Sequence, residues 1–100
     1  MKAEVLKAIP HGAGNAVTGK ALSQIIGIDA RTIKAIISKC RRQGVIICSS
    51  LDQNNGGYFY PENLAELKEY VDTESQRIAT ATAALKPAID ELERRKGNEN

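Results

Sequence analysis

Apolar residues recur along this chain in three rhythms, and each predicts a different kind of element. In the first 44 residues the spacing is three and four, the period of a helix with one buried face. Val5, Leu6 and Ile9 share a face of a helix over residues 3–9. Residues 10–16, rich in Gly and small side chains, read as a loop. Leu22 and Ile26 mark the inner face of a second helix, with Thr18 as its N-cap. Gly27 is the turn, Ser23 the small residue where two helices cross, and Ile28 the plug beneath the turn. A third helix follows the cap residue Asp29 and buries Ile33, Ile36, Ile37 and Cys40 as one stripe. Gly44 suits the left-handed position that closes it, and Arg41 and Arg42 favour its negative end.

The second rhythm is short and strand-like. Val45-Ile-Ile-Cys48, a polar tip over residues 51–57 and Gly56-Gly-Tyr-Phe-Tyr60 predict a β-hairpin that Pro61 ends. Tyr58 and Tyr60 then share one strand face and Phe59 the other, a pattern for packing against a helix or for stacking on bases.

From Asn63 the third rhythm is a heptad seam. Asn63 and Glu66 have capping-box spacing. Leu64, Leu67, Val71, Ile78, Ala81, Leu85, Ala88 and Leu92 alternate three and four apart, with Glu74 at the one polar seam position. As one helix, residues 64–95 would reach about 48 Å, too long to bury the seam on 60 residues of domain. A second copy of the chain is the simplest partner, and a helix folded back in two pieces is the alternative. Pro87 lacks an N–H and is expected to kink or break the helix near Ala83 to Lys86. The fold class expected is mainly α with a small β-hairpin: residues 1–61 a helix-turn-helix with hairpin, 62–96 a helical oligomerisation segment, 97–100 a disordered tail.

Composition narrows the function. One hundred residues make one domain with an appendage, and the apolar 42% with only four aromatics and no Trp makes an aliphatic core. No apolar run approaches the ~18 residues of a membrane span, and the first residues are too polar for a secretory signal. Two Cys without CxxC spacing argue against a disulfide framework or metal site, so a cytoplasmic protein without cofactor is expected. Net charge is only +2, but its distribution is uneven. Residues 1–44 hold eight Lys or Arg against two acids, whereas residues 61–100 hold six bases and nine acids. The basic half coincides with the paired helices, which suits a polyanion.

The phase of the third helix selects the candidate contacts. With its Ile stripe inward, Arg31, Thr32, Lys34, Ala35, Ser38, Lys39 and Arg42 face outward. If this helix enters a major groove, its N-terminal residues approach base edges. Arg31 and Lys34 can then reach guanine, Thr32 can hydrogen-bond and Ala35 can meet a thymine methyl. Ser38, Lys39 and Arg42 lie further along, where phosphates run. Thr18 and Lys20 begin the second helix and could meet backbone. Gln53, Asn54 and Asn55 at the hairpin tip carry no positive charge and could contact backbone or minor groove, or form an ordinary turn.

Four stretches carry a family resemblance: Leu22-Ser-Gln-Ile-Ile-Gly-Ile, Arg31-Thr-Ile, Arg41-Arg-Gln-Gly-Val and Gly56-Gly-Tyr-Phe-Tyr-Pro61. Together they resemble the N-terminal winged helix of the biotin repressor group and small phage and bacterial regulators. The resemblance covers about 60 residues and implies a winged helix-turn-helix whose last stretch closes the wing. No ligase or sensor domain follows in this chain, so the resemblance implies neither enzymatic activity nor a small-molecule co-repressor.

Two function classes follow. The first is a homodimeric, sequence-specific binder of double-stranded DNA, a phage or bacterial transcription regulator. The second is a protein-interaction or assembly module on the same scaffold. An enzyme is not expected. His11 has no Cys, Asp or Ser at catalytic spacing, and no strand precedes Gly12-Ala-Gly14 to make it a phosphate loop.

Overall fold

The structure, a computed structural model, describes residues 1–50 and 56–98. Its elements follow in the order α1 (Lys2–Ala8), a 3-10 turn (Ala13–Asn15), α2 (Gly19–Ile26), α3 (Ala30–Arg42), β1 (Cys48–Ser50), β2 (Gly57–Phe59) and α4 (Leu64–Asn98). The chain is thus mainly helical, with one two-stranded antiparallel hairpin and a long C-terminal helix. It forms two compact units, Met1–Tyr70 and Val71–Asn100.

Local chemistry sets the helix ends. Thr18 Oγ1 accepts the Ala21 amide at 3.0 Å, which fixes the start of α2. Gly27 turns the chain with φ of 87°, and its amide bonds the Ser23 carbonyl. The Ser23 hydroxyl donates to the Ile28 carbonyl, so the small residue also satisfies the turn's backbone. Asp29 starts α3 by accepting the Thr32 amide at 3.0 Å. At the other end the Gly44 amide bonds the Arg41 carbonyl and the Val45 amide reaches the Cys40 carbonyl, a Schellman closure. Gly44 sits at φ 101°, which an L side chain rarely adopts.

The core of the first unit is aliphatic. Val5, Ile9, Leu22, Ile33, Ile37, Cys40 and Ile47 form one buried cluster where α1, α2 and α3 meet. Ile36 is only partly buried at its edge, with Ile26 and Ile28 beside it.

The hairpin differs from the sequence expectation in position. Its first strand is Cys48–Ser50 rather than residues 45–48, with Cys48 opposite Phe59 and Ser50 opposite Gly57. The reason is that the preceding backbone is already engaged. The Val45 amide closes α3, and the Ile47 carbonyl accepts from Arg41 Nε at 2.8 Å. The other edge of β2 is lined by the segment between α1 and α2. Tyr58 and Val17 exchange both backbone hydrogen bonds, the Tyr60 amide bonds the Pro10 carbonyl, and the Gly12 amide bonds the Tyr60 carbonyl. The loop between α1 and α2 thus runs along the outer side of β2, held by isolated bridges at His11 and Val17. Gly57 permits this approach, since a Cβ there would lie 2.2 Å from the Val17 carbonyl oxygen. Phe59 is buried, and on the opposite face Tyr58 and Tyr60 pack against the core cluster, with the Tyr60 hydroxyl donating to the Leu6 carbonyl.

Helix α4 is unbroken through Pro87 and continues to Asn98. Proline removes one donor without ending the helix. Residues 97 and 98, expected in a tail, are its last residues. Its first two turns belong to the first unit, so that unit extends beyond the boundary expected at residue 61.

The α3 stripe should carry much of the stability. Ile33→Ala is expected to cost about 2–5 kcal/mol in urea unfolding. Ala35→Ser on the opposite face should stay within about 0.5 kcal/mol.

Candidate functional site

Helix α3 has two chemically opposite faces. Ile33, Ile37 and Cys40 are buried, whereas Arg31, Lys34, Ala35, Ser38, Lys39 and Arg42 are exposed. A 13-residue helix at ~3.6 residues per turn must segregate these positions once its Ile stripe is buried. The outward face therefore carries four cations, a methyl and a hydroxyl. Arg31 and Lys34 lie in its first two turns, Lys39 and Arg42 in its last.

Not all the candidates are equally free to engage a ligand. Thr32 is half-buried, and its hydroxyl donates to Asp29 Oδ1 at 2.6 Å while its amide bonds Oδ2. Those bonds, the hydroxyl first, hold the Asp29 carboxyl below its usual range. Thr32 is thus part of the helix cap as well as a candidate contact on this face. Arg42 reaches back to Ser38 Oγ at 3.0 Å, an exposed contact along the face itself. Thr18, the α2 cap, and Lys20 are exposed at the start of α2. Gln53, Asn54 and Asn55 lie outside the described residues.

A second constellation joins the end of α3 to the hairpin and the start of α4. The Arg41 guanidinium lies 5.7 Å from the Tyr58 ring centroid and 5.6 Å from that of Tyr70. Its Nε donates to the Ile47 carbonyl, and one terminal nitrogen is buried without a hydrogen-bond partner among the described residues. The sequence placed Arg41 only as a charge favouring the end of a helix. The ring spacing that recruits it spans 12 residues of sequence and two elements, which no local pattern carries.

Glu66 provides the other tie. Its amide bonds Asn63 Oδ1, as the capping box predicts. Its carboxylate, however, accepts from the Glu62 amide and, across 53 residues of chain, from the Ala13 amide, each at 2.9 Å. These two bonds, Glu62 first, hold its carboxyl below the usual value of 4.5. The 3-10 turn is thereby fixed to the start of α4.

Both Cys are free thiols buried in the first unit, and burial pushes the Cys48 thiol up. His11 is exposed, with its ring 5.0 Å from that of Tyr60. Among the described residues no three His, Cys, Asp or Glu side chains are grouped to hold a metal ion, and no helix is long and apolar enough to cross a membrane.

Of the seam residues, Leu64, Val71, Ile78, Ala81, Leu85, Ala88 and Leu92 are exposed and Leu67 is half-buried. Ile89, absent from the sequence reading, is also exposed and flanks Leu85 at one helical turn. No protein-family model, curated protein or solved structure matches the chain.

The Glu66 tie sets a pH dependence. Its folded pKa is lowered, so its contribution is complete above the ordinary value and is lost as pH falls through the folded value. Urea midpoints should therefore drop between pH 7 and pH 3.5. Glu66→Gln should lower the midpoint at pH 7 and shrink that drop, with Asp29 and Glu91, whose carboxyls are also held low, contributing to the remainder.

Proposed function

We propose that this chain is a sequence-specific double-stranded DNA-binding protein. In this reading it is a dimeric, cytoplasmic transcription regulator of phage or bacterial type, built as a winged helix. The observation that carries the reading is the exposed cationic face of α3, backed by a buried Ile stripe and preceded by a tight turn at Gly27. A rigid helix with that face can enter a major groove with its first turns at base edges and its later cations near phosphate. Arg31 and Lys34 then read bases, with Ala35 against a thymine methyl. Ser38, Lys39 and Arg42 hold phosphate, and Thr18 and Lys20 meet backbone at the start of α2. The helix-turn-helix order and the family resemblance support the same reading. Exposure of the α4 seam supports self-association.

Arg31→Ala should cost about 1–3 kcal/mol on a preferred duplex and relax sequence preference there. Lys39→Ala should weaken all duplexes alike and reduce the slope of log affinity against log salt by about one. Competition between selected and random duplexes, titrated with salt, separates these effects. A parent protein that binds no duplex would leave the scaffold a protein-interaction module.

Ile78→Asp puts a carboxylate into the seam and should convert dimers to monomers in sedimentation. If the unmodified protein sediments as a monomer at micromolar concentration, self-association through α4 is wrong.

A further inference from the structure

We infer that residues 71–95 of α4 pair with the same residues of a second copy in antiparallel orientation. The inference rests on the self-association proposed above and adds its direction and register. Two independent properties of the seam carry it, one of volume and one of charge.

The large seam residues fall seven apart: Val71, Ile78, Leu85 and Leu92, each 50–59% exposed. The positions three residues after each are Glu74, Ala81, Ala88 and Arg95, small or charged. A parallel pair in register would stack large on large and Ala on Ala in alternating layers. It would also set Glu74 against its own copy, and Arg95 likewise, inside the seam. An antiparallel pair centred on residue 83 separates these like charges, setting Glu74 against Leu92 and Arg95 against Val71 of the second copy. Ile78 then meets Ala88 of the second copy, and Leu85 meets Ala81. Each of these layers holds one large and one small side chain, so the helices can approach evenly. Pro87 falls on the face away from this seam, and its ring does not enter it.

Charge selects the same arrangement. Residues 69–74 hold Glu69, Asp72 and Glu74 and no base, whereas residues 94–96 are Arg94, Arg95 and Lys96. Antiparallel pairing brings the acidic stretch of each copy against the basic stretch of the other; parallel pairing sets like against like. In the same register Arg77 flanks Glu91 of the second copy. Both already make exposed pairs within their own helix, Arg77 with Glu74 and Glu91 with Arg94 and Arg95. Those contacts preorganise the side chains along the flank. The result is a self-complementary interface with two-fold symmetry.

Nitroxide labels on one added cysteine test direction. Ala83→Cys lies at the proposed centre and Gly97→Cys near the end, with the unmodified protein as control for the two native thiols. Antiparallel pairing predicts no axial offset between copies for Ala83→Cys, so that only the width of the helix pair separates its labels. For Gly97→Cys it predicts labels about 42 Å apart along the axis, at a rise of ~1.5 Å per residue. Double electron–electron resonance reads both. Equal distances at the two positions would overturn the antiparallel register while leaving self-association intact. No distance between copies at either position, with monomers in sedimentation, would overturn self-association itself.

Discussion

The burial of one stripe on α3 is the constraint on which the rest of the first unit depends. Ile33, Ile37 and Cys40 must face α1 and α2, because that is where the aliphatic core lies. A helix has no freedom to rotate once three such residues are committed, so the exposed set follows without further choice. The turn at Gly27 and the caps at Thr18 and Asp29 then decide where each helix starts along its axis. Rotation comes from the core and translation from the caps. Together they fix the position of every cation on the outer face of α3.

This division explains what could be read from sequence. Helix starts, the Gly27 turn and the Schellman closure at Gly44 rest on residues within five positions of one another, so their chemistry is written locally. The α3 stripe was legible for the same reason, although Ile36 proved only partly buried. The outward face followed from it by geometry. The hairpin was legible as an element but not in register, because Val45 and Ile47 spend their backbone groups on α3 and Arg41. The pairing of Val17 with Tyr58 and of Glu66 with the Ala13 amide joins segments more than 40 residues apart. Nothing in the spacing of either segment encodes those partners. Thr32 shows what helical phase does not carry: a short hydroxyl next to an Asp cap also bonds to the cap.

Helix α4 combines two kinds of surface in one continuous element. Its first turns are held in the first unit by Glu66 and by the Tyr70 ring over Arg41. Beyond Val71 its side chains are almost all exposed, and ion pairs three and four residues apart support it. Such pairs are each worth only a few tenths of a kcal/mol. A helix with exposed Ile, Leu and Val at every seventh position gains more from covering that stripe than from adding surface charge.

The place of β2 in the small sheet has a consequence for solubility. Strand edges offer unpaired amides and carbonyls on which another chain can build. β2 carries the aromatic residues of the sheet, and it is flanked by β1 on one side and by Val17 and the Pro10–Gly12 backbone on the other. The apolar strand is therefore the interior one and has no open side. On its other side lies β1, three residues long among the described residues and mostly serine. A strand that short and that polar offers an incoming chain few hydrogen bonds and little apolar surface, so brevity and composition both limit growth of the sheet.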